Sequence, residues 1–273
     1  MNNACDSHVH VLDPAFATVD GQGVPTGMTA SDYEAVQPVL GTDRVVIVQA
    51  KNYGTDNRCL VDALARFSPR ARGVAVVDRR IGDDELVRLH KAGVRGVRFS
   101  LWNPTNAVVD AVDLMPVAER IAPLGWHLQL HMSADQLVAH RAELARLPCD
   151  LVIDHMARLP SGRGCLTHPA FDLVRGLAND GHAWVKLSGP YLNRRPGAAG
   201  FDDARAVARA WVEAIANRLV WGSDWPHVTE GAEAPAPETI AATLHDWCAG
   251  DPRLIETIAV HTPAALYGFG TPA

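Results

Sequence analysis

The sequence predicts a single α/β domain over residues 1–273, a (β/α)8 barrel of the TIM type, on three grounds. Short β-branched segments alternate with amphipathic helical ones along the chain, eight such units can be counted, and the strands carry polar residues on one face only. Strand–helix–strand repetition at this spacing requires parallel pairing with right-handed crossovers, and eight units close a sheet on itself. An open doubly wound sheet is the competitor. It is disfavoured because no G-x-G-x-x-G turn follows any strand.

The first strand is "ACDSH", continuing into "VH", so Asp6, His8 and His10 fall on alternate positions and are expected to share one face. Ser31 with Glu34 makes a capping-box pattern for the first helix. Next come "RVVIVQA" with the helix "NRCLVDALARF", "GVAVVD" with "DDELVRLHKAG", and "GVRGVRFSL" with "DLMPVAERIAPLG". "HLQLHM" precedes "SADQLVAHRAELARL", "LVIDH" precedes "PAFDLVRGLANDG", "WVKLSG" precedes "DARAVARAWVEAIA", and "LVWGSD" is last. Gly93, Gly125 and Gly181 follow helices as C-cap residues. No composition break marks a second domain, and "YLNRRPGAAGFDD" and "TEGAEAPAPET" read as rim loops.

Three strands show the pleat. Val97, Phe99 and Leu101 oppose Arg98 and Ser100; Leu128, Leu130 and Met132 oppose His127, Gln129 and His131; Val185 and Leu187 oppose Lys186 and Ser188. The apolar face must meet the helices, so the polar face points into the barrel. Burying polar groups on several strands is costly unless they are paired, and at the C-terminal ends of barrel strands they read as an active site.

Composition narrows the partners. Net charge is −6 with both signs interspersed, which argues against a nucleic-acid surface. No hydrophobic run would span a bilayer and the start "MNNACDSHVH" is unlike a signal peptide, so a cytoplasmic protein without membrane partners is expected. Five cysteines, none in C-x-x-C spacing, suggest reduced thiols rather than a disulfide frame. A homo-oligomer is left open.

D-x-H-x-H on the first strand, the isolated His155 in "VIDHMAR", "KLSGPY" and "GSDWPH" together resemble the amidohydrolase superfamily. Their order, with "VVIVQAKNYGTDN" and the terminal "TPAALYGF", is similar to the group containing 2-pyrone-4,6-dicarboxylate hydrolases, sugar-lactone hydrolases and lactone isomerases. The resemblance runs from Asp6 to Phe269. It implies a lactonase that opens a small carboxylated lactone, with Asp224, His8, His10 and His155 as catalytic residues. In a metal-free reading Asp224 is the general base, and the histidines polarise the carbonyl and hold the oxyanion; the resemblance favours this reading, with no cofactor required. In the alternative, His8, His10, His155 and Asp224 hold one divalent metal, zinc. A metal-dependent non-oxidative decarboxylase and a lactone isomerase are competing activities, and a catalytically silent sugar-acid sensor is the competitor from outside enzymology.

Arg98 matches an arginine that the pyrone hydrolases use for a substrate carboxylate. A second, expected six residues on, is replaced by Pro104, and a third would fall near Leu192, beside Arg194 and Arg195. Lys51 stands where a small hydroxyl residue is commoner. The expected substrate contacts are Lys51, Arg98, Trp102 and His131, followed by Ser188, Tyr191 and His227. The substrate expected from these departures is a lactone or organic acid with one carboxylate. Trp102 and Trp225 are expected on rim loops near the ligand, and Asp6 is expected to pair with a cation or orient His8.

Overall fold

A computed structural model describes residues 1–195, 198 and 200–270. Pro196, Gly197 and Ala199 of the loop "YLNRRPGAAGFDD", and residues 271–273 of the predicted domain, lie outside the described residues. The strands are β1 (Cys5–Val9), β2 (Arg44–Val48), β3 (Ala71–Ala75), β4 (Val94–Ser100), β5 (His127–His131), β6 (Leu151–Ile153), β7 (Ala183–Leu187) and β8 (Leu219–Trp221). They form one sheet in sequence order, every neighbouring pair parallel. Between them lie α1 (Ala30–Leu40), α2 (Arg58–Phe67), α3 (Asp83–Lys91), α4 (Leu114–Ile121), α5 (Ala134–Ala139), α6 (Arg141–Leu144), α7 (Pro169–Asn179) and α8 (Asp202–Ile215). After β8 come α9 (Pro237–Trp247), α10 (Pro252–Glu256) and α11 (Thr262–Tyr267). No helix among the described residues is long and apolar enough to cross a membrane. All five cysteines are free and buried.

Strand alternation sorts the apolar residues into two layers. Val45, Ile47, Val97, Phe99, Leu128, Leu130, Val185 and Leu187 join the large cluster against the helices. Each such fully buried side chain contributes ~1.5–3 kcal/mol. Inside the barrel, Cys5, Val46, Val48, Val74 and Val220 form a second, smaller cluster with Tyr267 and Phe269. The segment around Phe269 closes the N-terminal end. Arg44 and Arg72 lie over its ring at 5.1 and 4.5 Å, and Arg72 donates to the carbonyls of Tyr267 and Gly268 at 3.2 and 2.9 Å. The polar groups of the strand C-terminal ends lie at the opposite end of the barrel from this segment.

The barrel closes between β1 and β8. The Asp224 amide donates to the His8 carbonyl at 2.9 Å, and the His10 amide donates to the Trp225 carbonyl at 2.8 Å. On β1 the structure corrects the simple alternation. Cys5 points inward, and Asp6 points outward, accepting from the Tyr33 hydroxyl of α1 at 3.1 Å and from the Ser223 amide at 2.8 Å. A register shift between Asp6 and Val9 then brings His8 and His10 back to the interior. An irregularity of this kind adds one residue and reverses the pleat, so the three polar residues do not share a face. Asp6 has no cation partner among the described residues; burial pushes its carboxyl up to about 6 against the bonds from Ser223 and His8.

The first helix also starts earlier than its sequence pattern suggests. Thr29 is the N-cap: its hydroxyl accepts from the Asp32 amide at 3.3 Å, and the Asp32 carboxylate accepts from the Thr29 amide at 2.8 Å. Ser31 is already inside the first turn, and Glu34 instead meets Arg66 of α2 at 2.5 Å. Replacing Thr29 by alanine is therefore expected to cost about 1 kcal/mol in urea denaturation, whereas Ser31→Ala should change stability little. The reverse order would return the cap to Ser31.

Candidate active site

His8, near the end of β1, and His10, just beyond it, meet Asp224, which follows β8. Their Nε2 atoms are 3.2 Å apart, and Asp224 Oδ1 is 3.5 Å from His8 Nε2 and 3.8 Å from His10 Nε2. Asp224 has a φ of 64°, a left-handed backbone that a non-glycine residue adopts at a cost and that functional sites tend to retain. Its other oxygen, Oδ2, accepts from the Tyr191 hydroxyl at 2.5 Å.

Protons can be assigned from the partners. His10 Nδ1 lies 2.9 Å from the Val48 carbonyl, which can only accept, so Nδ1 carries the hydrogen. Burial, reinforced by Arg98, pushes the His10 imidazole down to about 3, so the ring is neutral and its Nε2 is a lone pair. Burial also holds His8 well below its ordinary value. Burial pushes Asp224 up to about 7 against the Tyr191 bond and the Arg98 charge.

His155 follows β6 and begins a left-handed turn: His155, Met156, Ala157 and Arg158 have φ of 50, 56, 60 and 48°. Trp211 of α8 ties this turn down by donating to the Met156 carbonyl at 3.1 Å. His155 Nδ1 is 3.0 Å from the Ser188 hydroxyl and 4.0 Å from Asp224 Oδ2, and Ser188 is fully buried. The ring centroids of His8 and His131 are each 4.9 Å from that of His155. His131 Nδ1 meets Ser100 at 3.1 Å, while its buried Nε2 has no partner among the described residues.

Cations surround this cluster. Arg98 of β4 donates through Nε to Asp154 Oδ2 at 2.9 Å, and neither of its Nη atoms has a protein partner among the described residues. Lys51 reaches Asn106 Oδ1 at 2.6 Å, and its ammonium is lowered by burial and by Arg98. Arg158 lies 4.6 Å over the Trp102 ring, which stacks on His131 at 6.2 Å. Trp102 is 46% exposed at the rim. His227 is buried and packs edge-on to Tyr191 at 5.6 Å; burial alone pushes it down to about 4. Trp225 departs from its expected rim position, being buried 5.3 Å from Tyr33.

Two donor sets can be drawn. His8, His10 and Asp224 converge, His8, Asp154 and His155 form a second grouping, and His155 Nδ1 lies 4.0 Å from Asp224 Oδ2. With the His10 Nε2 proton excluded, two imidazole nitrogens and a carboxylate oxygen facing one another fit a divalent cation. Sequence reasoning placed Gln129 on the inward face without a role and missed Asp154 and Arg158. The pleat of "LVIDH" carried the signal for Asp154, since Leu151 and Ile153 join the helix-facing cluster and leave Val152 and Asp154 inward. No local pattern announces a left-handed turn of non-glycine residues, which is what brings Arg158 to the mouth.

Residues 5–269 match the family model described as amidohydrolase. The chain is 35% identical over 237 residues to a 2-pyrone-4,6-dicarboxylate hydrolase of Comamonas testosteroni, covering 82% of this chain and 77% of the relative. It is 32% identical over 273 residues to a 4-sulfomuconolactone hydrolase of Rhizobium radiobacter, covering 97% of this chain and 90% of the relative. A solved apo structure from Agrobacterium tumefaciens superimposes with a TM-score of 0.88 at 25% identity, covering 100% of this chain and 98% of the other.

Gly222, at the seam, is where His8 passes closest. A Cβ there would lie 2.6 Å from His8 Cβ and 2.7 Å from its amide nitrogen, closer than side chains pack. Gly222→Ala is therefore expected to displace His8, shift its imidazole NMR resonances and cost ~1–3 kcal/mol in denaturation. Gly176→Ala, on α7 with no neighbour within 4 Å, should instead stabilise by ~0.5–1 kcal/mol. Unmoved His8 resonances in the Gly222 variant would dismiss the seam as the element that places this ring.

Proposed function

The chain belongs to the amidohydrolase family, and from that premise we propose that it opens a small lactone carrying one carboxylate, with Asp224 as general base. The observation that carries this reading is the Asp224 carboxylate itself. One oxygen is held by Tyr191, and the other has no hydrogen-bond donor among the described residues while it faces two neutral imidazoles. Burial raises its carboxyl to about 7, a basicity suited to taking a proton from water near neutrality.

Water gives a proton to Asp224 Oδ1 as its oxygen bonds to the lactone carbonyl carbon. The ring carbon–oxygen bond then breaks, the ring oxygen takes that proton, and a hydroxy acid leaves with Asp224 again a carboxylate. Tyr191 keeps Oδ2 occupied through both transfers, so the proton moves on the Oδ1 side. His155 is the proposed donor toward the developing oxyanion through Nε2, a role that requires the Ser188 hydroxyl, 3.0 Å from Nδ1, to act as the donor of that pair. His10 is not suited to that task, because the Val48 carbonyl claims its only hydrogen. His8, His10 and Asp224 instead fit as ligands of a divalent cation, zinc being the type suited to nitrogen and oxygen donors. When bound there, such an ion supplies Lewis acidity toward the carbonyl and lowers the pKa of a coordinated water.

The pyrone-dicarboxylate and sulfomuconolactone hydrolases among the relatives act on lactones by name, which supports the substrate class. The side chains at the mouth support a single anionic substituent. Arg98 offers its free Nη edge, Lys51 a point charge, and Arg158 a guanidinium with no ion-pair partner among the described residues. Pro104 and Leu192 provide no charge where the pyrone hydrolases are expected to place further arginines. Trp102 and His131 give this anion holder an aromatic wall.

Asp224→Asn should retain the fold and lose at least ~100-fold in turnover of a carboxylated lactone. Near-normal turnover would remove Asp224 as the base. Lys51→Met and Arg98→Met should each raise KM for that lactone roughly tenfold or more, from the ~1.5–3 kcal/mol of a charge-assisted hydrogen bond, and leave KM for its uncharged amide unchanged. Equal effects on both substrates, or efficient turnover of pyrone dicarboxylate, would contradict the one-carboxylate assignment.

A further inference from the structure

Asp154 sits immediately before His155, with its side chain fully buried among groups that the proposed chemistry uses. Its two oxygens divide their partners. Oδ2 accepts from Arg98 Nε at 2.9 Å and from Gln129 Nε2 at 3.1 Å. Oδ1 has no hydrogen-bond donor among the described residues, and 3.5 Å from it lies His8 Nδ1, likewise buried and unpartnered. A carboxylate accepts only, so the two orphaned atoms satisfy each other when His8 carries its hydrogen on Nδ1. The opposite tautomer would set an imidazole lone pair against a carboxylate oxygen with no solvent to separate them, and would leave both atoms unsatisfied.

We infer that Asp154 is a positioning residue that fixes the His8 tautomer with one oxygen and the orientation of Arg98 with the other. Holding the hydrogen on Nδ1 makes His8 Nε2 a lone pair. That lone pair joins His10 Nε2, fixed by Val48, and Asp224 Oδ1, so three acceptors face one another across 3.2–3.8 Å. Holding Arg98 by Nε leaves both of its Nη atoms without a protein partner among the described residues. Asp154 therefore joins the anion holder to the acceptor set through one side chain; the part concerning Arg98 rests on the lactone reading, and the part concerning His8 does not.

Asp154→Asn separates these roles. Arg98 and Gln129 both require an acceptor at the Oδ2 position, so the asparagine oxygen should remain there and its amide should face His8 Nδ1. That arrangement drives the hydrogen to Nε2. In the 15N spectrum of chelated wild-type protein, His8 is expected with protonated Nδ1 and bare Nε2, and the Asn variant with the two exchanged. Binding of Zn2+ alone, followed by competition with a chromophoric chelator, should weaken 10- to 100-fold in the variant, the range typical of losing a carboxylate behind a histidine ligand. With a carboxylated lactone, kcat should fall by a similar factor and KM should change little, whereas Arg98→Met should raise KM and leave the His8 tautomer as in wild type. Wild-type His8 protonated at Nε2, or an Asn variant with unchanged His8 resonances and zinc affinity, would overturn the proposal. A chain that turns over no lactone defeats the proposed activity alone, because the nitrogen spectrum and zinc titration decide the role of Asp154 without substrate. An Asn variant that fails to fold leaves the decision to the wild-type spectrum.

Discussion

The seam between β1 and β8 is the constraint on which the site depends. Seven of the neighbouring strand pairs are consecutive in sequence, and the eighth contact must bring the two ends of the sheet together. It does so through the bonds from Asp224 to His8 and from His10 to Trp225. The same backbone bonds that remove the sheet's edges therefore place the two histidines of the first strand beside the carboxylate of the last. Gly222 makes this approach close enough, having no side chain to hold His8 away. The bonds that close the barrel also assemble the site, and the buried Asp6 carboxylate, accepting from the Ser223 amide, braces the same seam between residues more than two hundred positions apart.

Below that seam the interior solves the problem of burying polar groups mostly by keeping them uncharged. Burial pushes His8, His10, His127, His131 and His155 below their ordinary values, so these rings enter the barrel neutral. Lys186 departs from that pattern: it donates to the Ser7 carbonyl at 2.7 Å, and although burial pushes its ammonium down to about 8 it stays largely protonated at neutral pH. Arg98 and Asp154 form a buried ion pair here: burial would raise this carboxyl, but Arg98 and the neighbouring histidines hold it well below the ordinary range. Removing one member of such a pair strands the other, whereas the pair itself is close to neutral for stability. Its retention is better explained by the orientation it imposes on both partners than by the free energy it contributes.

Much of the architecture was legible because a barrel writes two periodicities into its sequence. Alternation in "GVRGVRFSL", "HLQLHM" and "WVKLSG" identifies the helix-facing residues correctly, since both sheet faces have distinct neighbours. The grouping of His8, His10, His155 and Asp224 was legible only through the resemblance, because the chain separation between them carries no local signal. What escaped was whatever breaks a period. The irregularity after Asp6 reverses the pleat within one strand, so a strict alternation puts that carboxylate on the wrong face. Thr29 caps α1 because the chain turns there, two residues before the matching Ser31 pattern. Trp225 looks like a rim residue by sequence position, yet the turn after β8 folds it back against Tyr33.

The left-handed turn from His155 to Arg158 bears on how this molecule can diverge. For L-residues with a Cβ, that handedness costs roughly 1–2 kcal/mol each, and here it persists across four consecutive residues. Neighbours such as Trp211 must over-determine the turn for it to survive. Its two ends carry the ring proposed to face the oxyanion and the guanidinium proposed to face the substrate anion. Drift at one end is therefore transmitted to the other through a rigid, strained peptide segment. On the proposed roles, a change at this turn would alter substrate preference and turnover together, whereas Lys51, on a separate loop, could change the anion contact alone.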